Sequence, residues 1–237
     1  MPHGGDATSP GAFALSSTAE VFAEPARMAM LLALLDGSAR PASDLARIAR
    51  VQPSTASSHL RRLLDHGLVV VRQHGKNRYY ALADERVGHA LEALAVATPA
   101  RAPAHPFDSP EKRALRFART CYGHFAGVLA VRLTDALESH GWTASARGVV
   151  TLTPGGRALL GDVGWSASSA VAAGRGKACP DWTERRAHIA GALGVALLDD
   201  LVASRWVRAE RGARLLRVTP LGEARFREVF GIATSSP

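Results

Sequence analysis

The sequence predicts a mainly α protein with small β-hairpins, α+β in class and divided into two domains. Three observations predict it. Apolar residues recur at helical spacing in separate segments, among them Pro25 to Asp36 and Asp84 to Ala97. Two strand-like runs, Leu68 to Arg72 and Arg78 to Leu82, flank the turn Gln73-His74-Gly75-Lys76-Asn77. The second half repeats itself, His124 and its neighbours echoing His188 and its own at an offset of 64. A chain of 237 residues is long enough to bury two cores.

Residues 1 to 17, rich in Gly, Ala, Ser and Pro, are expected to form a disordered leader, and Thr18 to Ala23 a short first helix. Pro25 to Asp36 reads as a strongly apolar helix stopped by Gly37. Ser43 to Ala49 is a capped short helix, and after a brief connection around Val51 and Gln52 another runs from Pro53 to His66. Pro53 suits a first helical position, where its missing N–H has no partner to lose, and Gly67 suits the residue just past the end. Leu60, Leu63 and Leu64 recur at i, i+3 and i+4 and bury one stripe, which turns Ser54, Thr55, Ser57, Ser58, Arg61 and Arg62 mostly outward. Two short helices at this spacing followed by a basic-tipped hairpin make a winged helix-turn-helix over residues 18–98.

The outward face carries donors for base edges and phosphates. Ser54, Thr55, Ser57, Ser58 and His59 are candidates for base or nearby phosphate contacts, and Arg61, Arg62, Arg72, Lys76, Asn77 and Arg78 for charge and wing contacts. Each has a plainer reading: hydroxyls near a helix start are usually caps, paired arginines usually a solvated face, and the His59 ring packs under the helix start. Charge supports the first reading. The chain carries a net +8, and between residues 53 and 80 five cations stand against Asp65 alone. With no long amphipathic basic helix, this favours nucleic acid over a membrane surface. No run of about 18 apolar residues occurs and the N-terminus lacks a signal peptide's basic start and apolar core, so the expected location is the cytoplasm. Neither a Gly-x-Ser-x-Gly, a His-Glu-x-x-His nor a phosphate-binding glycine loop is present, so no enzyme is expected.

Ser57-Ser58-His59-Leu60, Leu63, Gly67-Leu68-Val69, Gly75, Arg78 and Tyr79-Tyr80-Ala81-Leu82, taken together, resemble the ArsR/SmtB family of bacterial repressors over residues 19 to 97. The resemblance implies a homodimer, built through the first and last helices of the domain, that binds a palindromic duplex operator and lets go when an effector arrives. The family's common metal sites place cysteines before or in the helix pair, or Asp and His on the last helix. Neither pattern is present, and His89 and Glu92 remain a lone i, i+3 pair.

Residues 99–109, with their prolines, read as a stiff linker. Ser109-Pro110-Glu111 then opens helical sequence that runs as far as His140, with Gly123 and Gly127 as places to break it. The domain 110–237 consists of two tandem helix-strand-helix repeats, about 110–165 and 177–230, each with a long helix, a Trp (Trp142, Trp206), a strand and a Thr-Pro-x-Gly step into a second helix. Small residues, including Gly127, Ala130, Gly191 and Gly194, let the two long helices approach closely. These segments resemble the extended C-terminal region of a subgroup of ArsR-like regulators.

His124 and His188 fall at equivalent places near the starts of the paired helices, with Cys121 one helical turn before His124. Cys179 is not the repeat mate of Cys121; it precedes Asp181 and Glu184, a capping-box-like start for the second helix. A symmetry axis between the helix starts brings Cys121, His124, Cys179 and His188 together, which suits zinc, haem iron or a dithiol switch. The plainer alternative is burial of both cysteines as small hydrophobes, with no cofactor. Trp142, Trp165, Trp182, Trp206, Tyr122 and Phe125 either line an apolar effector pocket or fill the core. A rival to effector sensing is a partner-binding or DNA-clamping module built on Arg205, Arg208, Arg211, Arg214 and Arg217.

Overall fold

A computed structural model describes residues 10–75, 77–98, 110–165, 172, 174–210 and 212–234. The chain divides into two compact units, one ending at Leu91 and the other beginning at Glu92. The division falls inside a helix, Glu85–Ala97; the linker 99–109 lies outside the described residues.

The first unit runs α1 (Pro10–Phe22), α2 (Pro25–Ala33), β1 (Arg40–Pro41), α3 (Ala42–Ala49), α4 (Pro53–Asp65), β2 (Val69–His74), β3 (Asn77–Leu82) and into α5 (Glu85–Ala97). The disordered leader is therefore corrected: from Pro10 onward it belongs to α1. Val21 of that helix is fully buried, and the Ser17 hydroxyl lies 3.3 Å from His66 Nε2 at the end of α4. The helix α2 opens on Glu24, whose carboxylate accepts the Ala26 N–H at 3.1 Å, with Pro25 next. It closes at Ala33, short of the expected Asp36, because Asp36 is drawn into a turn where it accepts the Ser38 N–H and hydroxyl and pairs with Arg40. Ser43 is not a cap: α3 starts at Ala42 behind Pro41, with no side-chain cap at all.

One strand was not expected. Arg40 and Pro41 pair with Tyr80 and Tyr79, giving a sheet in the order β1-β3-β2. Pro41 is tolerated there because β1 is an edge strand. Met30, Leu31, Leu34, Leu45, Leu60 and Leu63 form the fully buried centre of this unit, the leucines of α4 supplying two of them.

The second unit continues with α6 (Pro110–Phe117), β4 (Arg119–Cys121), β5 (His124–Ala126), α7 (Val128–Ser139), β6 (Thr143–Ala146), β7 (Val149–Leu152), α8 (Pro154–Asp162), β8 (Arg175–Pro180), β9 (Ala187–Ala190), α9 (Gly191–Ala203), β10 (Val207–Ala209), β11 (Leu216–Val218) and α10 (Pro220–Phe230). The long helix expected from Pro110 to His140 is thus two helices with a hairpin between them. The hairpin turns through Tyr122 and Gly123, both at positive φ, the arrangement of a type I′ turn. Gly127 follows at φ 93, where an added Cβ would strike the carbonyl oxygens of Arg116 and Phe117. Strands β6-β7-β8-β9 form an antiparallel sheet, and β10-β11 and β4-β5 are separate hairpins.

The two stretches that echo each other in sequence use the same local devices. Trp142 N–H reaches Leu137 O, and Trp206 N–H reaches Leu201 O. Thr153 Oγ1 caps α8 by accepting the Gly156 N–H at 3.1 Å; Thr219 Oγ1 caps α10 by accepting the Gly222 N–H at 2.9 Å. A Cβ at Gly156 or Gly222 would collide with the carbonyl oxygen of Trp142 or Trp206. The Thr-Pro-x-Gly step thereby has a physical reading: a cap, a first-turn proline and a close backbone approach. Between helices stands a hairpin in each case, where a single strand was expected. Gly156→Ala and Gly222→Ala should each cost about 1–3 kcal/mol in urea unfolding, against under ~0.5 kcal/mol for the half-exposed Leu221→Ala.

The core of this unit packs Leu129, Leu137, Leu193, Leu201, Trp206 and Phe226. Its tryptophans serve packing. Trp165 lies 5.0 Å from Trp206 and donates from Nε1 to Ser204 Oγ, Trp142 stacks on His140 at 4.4 Å, and Arg119 sits over Trp182.

Candidate functional site

Two groups of residues carry chemistry, one in each unit. In the first unit, Pro53 and the leucine stripe orient α4 so that Ser54, Thr55, Ser57, Ser58, Arg61 and Arg62 are exposed, while Ala56, Leu60 and Leu63 are buried. Ser57 Oγ donates to Pro53 O, and Ser54, Thr55 and Ser58 leave the N-cap role to Gln52, which makes no side-chain cap. His59 is half-buried. Arg72, Asn77 and Arg78 are exposed on the hairpin, with Arg78 opposite Gln73 and Asn77 opposite His74; Lys76 lies outside the described residues. His66 was not singled out in sequence; its Nδ1 meets Arg62 O at 3.0 Å and closes the end of α4.

In the second unit, Cys121, His124, Cys179 and His188 come together, their donor atoms all within 4.8 Å of one another. Strands place them, not helices. Cys121 faces His124 across β4-β5, and Cys179 faces His188 across β8-β9. Cys179 therefore holds in its hairpin the place that Cys121 holds in the other, which the fixed offset of 64 hid because the second hairpin is longer. His124 Nε2 and His188 Nε2 are 2.9 Å apart, and their rings are tilted by 34°. Cys121, His124 and His188 are buried and Cys179 is half-buried.

A second ring of residues fixes the first. Asp181 opens the turn between β8 and β9 rather than a helix: its Oδ1 accepts the Thr183 and Glu184 N–H groups, and its Oδ2 accepts the Gly127 N–H at 2.8 Å. Arg119 grips the same carboxylate at 2.8 and 2.9 Å. His188 Nδ1 faces Asp181 Oδ2 at 3.4 Å, off the geometry of a full hydrogen bond. On the other side the Cys121 thiol donates to Glu92 Oε2 at 3.3 Å, and Arg214 pairs with Glu92 at 2.9 Å while lying over the Tyr122 ring. Glu92 is therefore buried and engaged, whereas His89 of the expected i, i+3 pair is exposed. Arg214 is likewise an inner residue and not part of a basic surface. Of the other arginines on that hairpin, Arg217 pairs with Glu210, and Arg211 lies outside the described residues.

The charges follow from these contacts. Burial raises Asp181, but His188, Arg119, Thr183 and the Gly127 N–H outweigh it and hold the carboxyl well below the usual range. Burial works against a charged His188, yet Asp181 and Cys121 tip the net shift upward. The neighbouring Cys179 thiol and burial push Cys121 up to about 12, whereas the Cys121 thiol lowers Cys179 against the opposing effect of burial, so Cys179 ionises the more readily of the two. Buried thiol and imidazole donors oriented in this way can hold a soft cation, or the thiols can join.

Known proteins resemble this chain as follows. Residues 22–72 match a family model described as a helix-turn-helix domain. The HTH-type transcriptional regulator YdfF of Bacillus subtilis is 34% identical over 220 residues, 92% of this chain and 97% of that protein. The HTH-type regulator CmtR of Mycobacterium tuberculosis is 38% identical over 81 residues, 34% of this chain and 68% of that one. Among solved structures, the homodimeric winged helix-turn-helix domain of a possible ArsR-family regulator from Mycobacterium bovis superposes with a TM-score of 0.36 at 25% identity, covering 41% of this chain and 89% of that one.

Proposed function

Because the chain belongs to the HTH-type transcriptional regulators and its first unit resembles the ArsR type, we propose that it acts as a dimeric repressor released by an effector that reaches the Cys/His cluster of the second unit. In this reading α4 lies in the major groove of a palindromic operator. Ser54, Thr55, Ser57, Ser58 and His59 meet bases or adjacent phosphates, Arg61 and Arg62 meet phosphate, and Arg72, Lys76, Asn77 and Arg78 bring the wing to phosphate or minor groove. The observation that carries it is the two-sidedness of α4: its hydroxyl and guanidinium side chains are exposed while its leucines are the core of the unit.

Dimerisation is supported by apolar side chains left exposed on two helices, Leu15 on α1 and Leu94 on α5. The protein carries no reaction of its own and works on DNA in the cytoplasm. Separately, no helix among the described residues is long and apolar enough to cross a membrane. The test is fluorescence anisotropy with duplex fragments from upstream of its own gene. The expected result is saturable, salt-sensitive binding of two chains per site, with a footprint of two half-sites. Equal affinity for random duplex at low salt would remove the operator reading, and protection extending well beyond two half-sites would favour a clamp.

A further inference from the structure

We propose that Cys121, His124, Cys179 and His188 form a closed, four-coordinate site for a divalent, thiolate-binding cation of the zinc class. This deepens the effector reading above and rests on it only for the consequence at DNA. Four observations carry the site. Each of two hairpins contributes one sulfur and one imidazole from directly opposed positions, so the donors arrive as two like pairs. All four donor atoms lie within 4.8 Å of one another, and the two Nε2 atoms are 2.9 Å apart. A tetrahedron with metal bonds of about 2.0–2.3 Å has edges of about 3.3–3.8 Å, so small side-chain adjustments suffice. His188 presents Nδ1 to the Asp181 carboxylate, itself locked by Arg119; a carboxylate behind a ligating histidine fixes the tautomer with the proton on Nδ1 and the Nε2 lone pair inward.

Charge selects the cation. The surrounding carboxylates are already matched, Asp181 by Arg119 and Glu92 by Arg214. A divalent ion with two thiolates and two neutral imidazoles adds no net charge to this buried place, whereas a monovalent ion would leave a negative charge in it. Two sulfurs and two nitrogens suit zinc and its heavier congeners over magnesium or calcium. With four protein ligands no position is left for substrate, which makes the site a sensor or staple and not a catalyst. Half-buried Cys179 gives the ion its way in. On loading, two metal–sulfur and two metal–nitrogen bonds form, the two thiol protons leave to solvent, and the proton now held between the two Nε2 atoms moves to Nδ1 of its ring or leaves with them. One of the thiol protons is that by which Cys121 now binds Glu92, so α5 loses a hydrogen bond when the site fills.

The test uses the reduced, full-length chain and Co2+ as probe. One equivalent of Co2+ should give the intense visible bands of a tetrahedral thiolate complex, and Zn2+ should displace it. Cys179→Ser and Cys121→Ser, checked for unchanged circular dichroism, should abolish the bands. His188→Gln should weaken binding by at least about 10–100-fold, the range seen when a ligand's support is lost. No tetrahedral bands with the native chain, or bands that survive Cys179→Ser, would overturn the site. Formation of a Cys121–Cys179 disulfide by a chain that takes up no Co2+ when reduced would overturn it in favour of a dithiol switch. The DNA reading is scored apart: if the chain binds Co2+ as stated but operator affinity is the same with and without Zn2+, the cation site stands and the effector reading falls.

Discussion

Arg119→Ala is expected to destabilise the second unit by about 3–5 kcal/mol, the cost of leaving a buried charge without its partner. Both members of the Arg119–Asp181 pair are almost wholly buried, and the contact is bidentate. Asp181 retains the Gly127 N–H and the Thr183 contacts, which are neutral donors, and His188 Nδ1 at 3.4 Å, which does not supply the bidentate contact that Arg119 makes. Arg119→Lys should recover only part of the loss, since an ammonium cannot supply the planar fork that meets both oxygens. Urea unfolding followed by tryptophan fluorescence reports the change, with Trp182 beside the guanidinium. The exposed pair Arg186–Asp135 is the internal control: Arg186→Ala should cost less than ~1 kcal/mol. Equal costs for the two variants would mean that the Arg119–Asp181 pair is solvated.

The same carboxylate sets the acid limit. Asp181 titrates lower in the folded chain than in the unfolded one, so its contribution is complete above the unfolded value of about 4 and is lost as pH falls below it. In that window the unfolded chain binds a proton that the folded chain refuses. Stability should therefore fall by up to about 1.4 kcal/mol per pH unit from this group alone. Asp181→Asn should be less stable at neutral pH but should show a shallower acid dependence. An acid slope identical to that of the native chain would assign the dependence to other carboxylates.

Much of the first unit was legible in sequence because its signals are local. Pro53 and Gly67 bound α4, the leucine spacing gives its buried side, and the Gly75 turn gives the hairpin. What escaped was non-local or ambiguous: β1 is two residues long and exists only through its pairing with β3. The Cys/His cluster was found through the repeat, yet on the wrong scaffold. Cys121 and His124 are three residues apart, a spacing that suits one helical turn and equally a two-residue hairpin, and only the positive φ of Tyr122 and Gly123 decides between them. Arg119, Asp181, Glu92 and Arg214 were missed as members of the site because a charged residue in sequence reads as surface. Their partners lie 62 residues off for Arg119 and Asp181, and no periodicity announces such a pairing.

Reversing the charge of α4 should have the largest effect on DNA. Arg61→Glu/Arg62→Glu is expected to lower operator affinity about 100-fold or more near 0.1 M salt, since each phosphate contact contributes roughly a factor of ten there through counterion release. The slope of log affinity against log salt should become shallower by about two, or by about one for Arg62→Ala alone. Arg61 and Arg62 are both exposed, unlike the buried Leu60 and Leu63 that flank them, so the fold should tolerate the change. The hydroxyl face should behave differently. Ser54→Ala or Ser58→Ala should cost about 1–3 kcal/mol on the cognate sequence if the hydroxyl reads a base, with the salt slope unchanged and little effect on random duplex. Anisotropy titrations at several salt concentrations on cognate and random duplex separate the two cases. A doubly reversed variant that keeps native affinity and slope would mean that α4 does not face the phosphates, and a different surface would have to hold the DNA.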